Sequence, residues 1–103
     1  MIKEINASRL EEELIKDSVL LNFYSEHCGA CKMTAFILED VQKILGDQVH
    51  MVKVNYEEHQ DLAEAYQVKG YPTLIHLKNG QEIARKEGLI QKTGIIKMIE
   101  ENA

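Results

Sequence analysis

Residues 19–31 read Val19-Leu20-Leu21-Asn22-Phe23-Tyr24-Ser25-Glu26-His27-Cys28-Gly29-Ala30-Cys31. The run from Val19 to Tyr24 is continuous and β-prone, the pattern of a strand covered on both faces by helices. From Cys28 the period changes. Met33, Phe36, Ile37, Val41, Ile44 and Leu45 fall at helical spacing, and Gly46 sits where a helix C-cap would. A buried strand running directly into the longest helix of the chain belongs to an open α/β sheet. A Cys-x-x-Cys at that junction lies at the mouth of the sheet.

Toward the N-terminus, Ile2 to Ile5 reads as a short strand. Ser8-Arg9-Leu10-Glu11 has the capping-box form and opens a helix that turns Leu10, Leu14 and Ile15 inward and ends near Lys16. Toward the C-terminus, Val49 to Asn55 alternates as a third strand, and the Leu62, Ala65, Tyr66 pattern fits a short third helix. Lys69-Gly70-Tyr71-Pro72 then breaks the chain. Thr73 to Leu77 and Glu82 to Glu87 flank Lys78-Asn79-Gly80-Gln81, whose Asn-Gly pair signals a two-residue hairpin between antiparallel neighbours. Gly88 ends the hairpin, and Ile95, Ile96, Met98 and Ile99 form the inner stripe of a final helix. The expected order is βαβαβαββα. Helical crossovers between the early strands imply parallel pairing with helices on both faces, and the hairpin adds an antiparallel edge: a mixed sheet in an α/β sandwich.

At 103 residues, with 45% hydrophobic and 28% charged side chains, the expectation is one domain spanning 1–103. One proline and six glycines leave no room for a disordered linker. The apolar run Val19 to Leu21 is broken by Asn22, far short of a membrane span or a signal-peptide core, and Met1 suits an intact start. A cytoplasmic protein with no membrane partner is expected, and a monomer. The net charge of −5, with lysines scattered, argues against nucleic acid as a partner.

Two cysteines spaced Cys-x-x-Cys, with no others, cannot form a disulfide framework that staples a secreted fold. Their spacing points to thiol exchange or a metal. A thiolate at a helix N-terminus faces unpaired backbone N–H groups and the positive end of the dipole, which favours the nucleophilic form of Cys28. Cys31, one turn further along the same face, is placed to attack the Cys28 sulfur as the resolving thiol. The alternatives are a pair of packed structural cysteines, or a metal site. His27, His50, His59 and His76 show no partner spacing that completes a metal site within the chain, leaving only a cluster bridging two protomers through four cysteines.

Taken together, Asn22 through Lys32, Gly70-Tyr71-Pro72-Thr73, Lys78-Asn79-Gly80 and Gly88 resemble the thioredoxin family, over almost the whole chain. The resemblance implies a thioredoxin-like three-layer sandwich. It also implies a protein-disulfide reductase working through a mixed disulfide, with a redox-active Cys28–Cys31 disulfide and no bound cofactor. Its partners would be disulfide-containing proteins and a thioredoxin-reductase-like flavoenzyme that recharges it with electrons from NADPH. Pro72 matches the family's cis-proline, which abuts the cysteines and leaves the Tyr71 backbone free to pair with an extended substrate, beside Gly88.

The chain departs from that family at three positions near the cysteines. Asn22 stands where a buried aspartate usually takes the proton from the resolving cysteine, and asparagine cannot act as a base. Cys31 is therefore expected to be activated through water or through Lys53, which matches a family lysine near that acid, and mixed disulfides should persist longer. His27 replaces a tryptophan, and a protonated imidazole there favours the Cys28 thiolate. Ala30 replaces a proline, loosening the first helical turn, and Gly29 with Ala30 tunes redox poise, so a somewhat more oxidising protein is expected. The competing functional reading is a non-catalytic thioredoxin-like module that holds a partner in the peptide groove.

Overall fold

Strand β2 (Ser18–Tyr24) alternates between two hydrophobic environments, so its residues decide where the layers go. Leu20 packs with Leu38, Val41 and Leu45 and with Ile95, Met98 and Ile99 on one side. Val19, Leu21 and Phe23 pack on the other side with Val52, Val54, Ala63, Ile75 and Leu77. Each such side chain contributes about 1.5–3 kcal/mol when fully buried. This computed structural model describes residues 2–4, 12 and 16–101.

Around β2 lie β1 (Lys3–Glu4), α1 (Gly29–Leu45) with a 3-10 turn at Gly46–Gln48, and β3 (His50–Asn55). They are followed by α2 (Gln60–Ala65), β4 (Thr73–Lys78), β5 (Gln81–Glu87) and α3 (Lys92–Glu101). The five strands form one sheet in the order β1-β3-β2-β4-β5. The pairs β1·β3 and β2·β3 are parallel, whereas β2·β4 and β4·β5 are antiparallel. Helices α1 and α3 share one core with the sheet, and Ala63 of α2 joins the other, giving three layers.

The expected hairpin is present: Lys78 pairs with Gln81, and Asn79 and Gly80 take φ of 52° and 84°. Two successive left-handed residues are what a type I′ turn demands, which is why Asn-Gly closes it. Gly46 caps α1 at φ 56°, its N–H donating to the Gln42 carbonyl. The expected helix from Ser8 to near Lys16, with Leu10, Leu14 and Ile15 inward, lies outside the described residues, as does Ile5 at the end of the first strand.

Helix α1 differs from its expected apolar pattern. Its buried residues are Cys31, Thr34, Leu38, Val41 and Leu45, while Met33, Phe36 and Ile44 are exposed, Phe36 at 78%. The helix exists as expected, but its sheet-facing stripe is rotated away from those three. The stripe repeats at alternating steps of three and four from Cys31, and Thr34 enters it because its hydroxyl donates to the Ala30 carbonyl at 2.9 Å.

Candidate active site

At the C-terminal end of β2 the chain turns through Ser25 to His27 into α1. Buried Ser25 closes this turn, its Oγ accepting the His27 N–H at 3.2 Å. Cys28 has extended backbone, φ −119° and ψ 115°, and is the N-cap of α1. Its sulfur accepts the Cys31 backbone N–H at 3.0 Å, satisfying one of the donors every helix start leaves unpaired. Cys28 is half-buried and Cys31 is 3% exposed. The two are joined as a disulfide, with Cα atoms 5.2 Å apart.

The segment Gly70 to Thr73 is held from three sides. The Tyr71–Pro72 peptide is cis. The Pro72 carbonyl accepts the Gly88 N–H at 2.8 Å, and Thr73 Oγ1 donates to the Gly70 carbonyl at 2.9 Å. The Tyr71 ring meets Tyr56 edge-on, centroids 5.3 Å apart, and stays 42% exposed. Tyr56 is in turn fixed by its backbone N–H donating to the Tyr24 carbonyl at 2.8 Å, and by the turn in which Asn55 Oδ1 accepts from Glu57 and Glu58. Gly88, at φ 79°, occupies a conformation that side-chain-bearing residues rarely adopt.

Beneath the start of α1 a cavity of about 250 Å³ is lined by Asn22, Tyr24, Ser25, Glu26, Cys31, Lys32, Ala35 and Lys53. Asn22 pairs with Lys53 in the β2·β3 register, and Glu4 pairs with Lys53 across β1·β3, so these side chains share one sheet face. Lys53 Nζ lies 3.9 Å from Glu4 Oε1 and 5.8 Å from the centroid of the Tyr24 ring. Tyr24 donates its hydroxyl to the same Glu4 oxygen at 2.6 Å. Burial, then this hydrogen bond, push the Tyr24 hydroxyl far above its ordinary range, so it remains a donor at neutral pH. Lys53, expected beside Cys31, thus lines the cavity with its ammonium directed to Glu4.

Of the residues singled out in the sequence, Asn22, Cys31 and Lys53 meet at this cavity, with Cys28, Gly29 and Ala30 on the adjacent first turn and exposed His27 before it. The sequence by itself assigns no role in the site to Tyr24, Ser25, Glu26, Lys32 or Ala35, which complete the lining. The alternation of β2 could have flagged Tyr24, two residues beyond Asn22 and therefore on its face. Glu4 and Tyr56 carried no local signal, since both act through long-range pairing. Among the described residues there is no group of three or more His, Cys, Asp or Glu that could hold a metal ion.

Comparison with known proteins agrees with this geometry. Residues 1–101 match the sequence profile of the thioredoxin family. A thioredoxin from Chlamydia caviae is 35% identical over 103 residues, 100% of both chains. One from Rickettsia bellii is 33% identical over 104 residues, covering 99% of each. Among solved structures, the oxidized mitochondrial thioredoxin 3 of Saccharomyces cerevisiae superposes with a TM-score of 0.86 at 28% identity, covering 97% of this chain and 94% of that one. In this chain a half-buried cysteine that caps a helix is disulfide-bonded to a buried one a turn away, the Cys-x-x-Cys disulfide of the site. The chain belongs to the thioredoxin family and is a thiol–disulfide oxidoreductase, a protein-disulfide reductase in type.

Proposed function

We propose that Cys28 is the nucleophile and Cys31 the resolving thiol, with Tyr71, Pro72 and Gly88 forming the edge that receives an extended segment of a disulfide-containing protein. The observation that carries this assignment is the capping contact: Cys28 Sγ accepts the Cys31 N–H at 3.0 Å at the start of α1, while Cys31 is almost fully buried. The helix dipole and this donor both favour negative charge on Cys28. Burial keeps Cys31 from competing for substrate.

In the first step the Cys28 thiolate attacks one sulfur of the substrate disulfide. A Cys28–substrate bond forms, the substrate S–S bond breaks, and one substrate thiolate leaves. Cys31, having lost its proton, then attacks Cys28 Sγ. The Cys28–Cys31 bond forms and the second substrate thiolate leaves, so two electrons pass to the substrate. His27 supports the Cys28 thiolate when protonated, and Gly29 and Ala30 tune the poise of the pair. Asn22 supplies no base and Lys53 is engaged by Glu4, so resolution is slow for this family and mixed disulfides persist.

Recharging calls for a two-electron donor, and a thioredoxin-reductase-like flavoenzyme drawing on NADPH fits that need. A reducing compartment, the cytoplasm, suits a protein whose two cysteines are both in the exchanging pair.

The test is covalent trapping. Cys31→Ser incubated with a disulfide-bonded protein should accumulate a mixed disulfide visible by intact mass, and Cys28→Ser should form none. The chain has no tryptophan, so thiol counting rather than fluorescence follows the reaction. Adducts on Cys28→Ser alone would reverse the assignment. Undiminished function in a variant lacking both thiols would favour the binding-module reading.

A further inference from the structure

Asn22 sits on the sheet face beneath the first turn of α1, 5% exposed, and its Oδ1 has no hydrogen-bond partner among the described residues. A buried carbonyl left without a donor is destabilising, because it has given up its hydrogen bonds to water and gained none. Its cavity is shared with Cys31, yet none of the donors that line it, the Tyr24 and Ser25 hydroxyls and the Lys32 and Lys53 ammoniums, meets this oxygen. Lys53 Nζ is directed to Glu4, and the Tyr24 hydroxyl donates to that same carboxylate. Cys31 is in a disulfide, and a disulfide sulfur has no proton to give. Reduction changes this, because a thiol is a donor, though a weak one.

We propose that Asn22 Oδ1 is a redox-linked acceptor, unmet while Cys28 and Cys31 are joined and met by the Cys31 Sγ–H once they are reduced. Asn22 thereby stabilises the dithiol form selectively and makes the protein a weaker reductant than the same chain without that acceptor. The inference rests on the reading of Cys28 and Cys31 as an exchanging pair. With glutathione as reductant, two glutathione thiols become glutathione disulfide and the Cys28–Cys31 bond breaks. The two protons finish on the two cysteine sulfurs, and the one on Cys31 is the one Asn22 receives. An aspartate would act as a base on that proton, whereas asparagine holds it.

The experiment is the equilibrium of wild type and Asn22→Ala with a series of glutathione buffers, read as free thiols by intact mass after alkylation. Asn22→Ala should shift the equilibrium about fivefold toward the disulfide, which is about 20 mV for a two-electron couple. Denaturant unfolding of both redox forms closes the cycle: the reduced form should lose the same factor relative to the oxidised form. With Cys31 as the sole thiol in Cys28→Ser, the infrared S–H stretching band should move to higher frequency when Asn22 is also replaced. Asn22→Leu, apolar and close in volume, repeats each measurement should the alanine variant fail to fold. Equal destabilisation of both forms with an unchanged equilibrium, or an unshifted S–H band, would overturn the inference. A wild-type pair that never exchanges with glutathione would overturn the underlying exchange reading, and the inference with it.

Discussion

Gly88 donates its backbone N–H to the carbonyl of Pro72 at 2.8 Å, which ties the end of β5 to the cis Tyr71–Pro72 peptide. Gly88 holds φ 79°, and open space surrounds the position where a Cβ would stand. Gly88→Ala should therefore cost about 1–2 kcal/mol through backbone strain alone. Gly88→Asn should cost less, because asparagine tolerates the left-handed region. Urea unfolding midpoints check the order. The alanine variant should also show a raised KM for a protein disulfide with little change toward a small-molecule disulfide.

His76 is fully buried in β4, its Nε2 2.8 Å from Ser18 Oγ and its Nδ1 without a partner among the described residues. Burial, then the nearby Lys78 charge, lower the readiness of its imidazole to take a proton. The unfolded chain therefore binds the proton more tightly than the folded one. The resulting stability is fully present above the ordinary histidine value of about 6.5 and is lost as pH falls below it. Unfolding midpoints measured between about pH 5 and 8 should decline on the acid side in wild type and flatten in His76→Leu.

Arg85 of β5 donates to the Tyr66 carbonyl at 2.6 Å and the Gln67 carbonyl at 3.4 Å, and forks onto Glu82 with two contacts of 2.8 Å. It pins the segment after α2, where Gln67 takes φ 56°. The guanidinium also holds the Glu82 carboxyl below its usual range. Arg85→Ala should destabilise by about 1 kcal/mol, discounted for partial exposure of the pair. Amide exchange at Gln67 and Val68 should quicken more than in β2.

Two substitutions on α1 separate its faces. Leu38→Ala, in the stripe that meets Leu20 and Val41, should cost about 3 kcal/mol. Phe36→Ser, on the exposed side, should move stability by no more than about 0.5 kcal/mol. Comparable losses at both positions would mean that a partner or another part of the chain covers Phe36.

What could be read from residues alone was whatever depends on neighbours within a few positions. Strand β2, the onset of α1 at the cysteines, the Gly46 cap and the Asn-Gly hairpin are encoded by local propensity, spacing and positive-φ turn chemistry. The reactive pair was legible for the same reason, because a Cys-x-x-Cys at a helix start carries its own electrostatics. The orientation of α1 was not. Periodicity reports that an apolar stripe exists, while the sheet beneath selects which one is buried, so Cys31, Thr34 and Leu38 went inward and Met33 and Phe36 outward. Lys53 pairs with Asn22 in the β2·β3 register but owes its direction to Glu4, a residue brought alongside only by parallel pairing of β1 with β3. The unmet oxygen of Asn22 belongs to the same class. An amide's cost or use depends on the donors that distant segments bring within reach, and only the folded chain decides them.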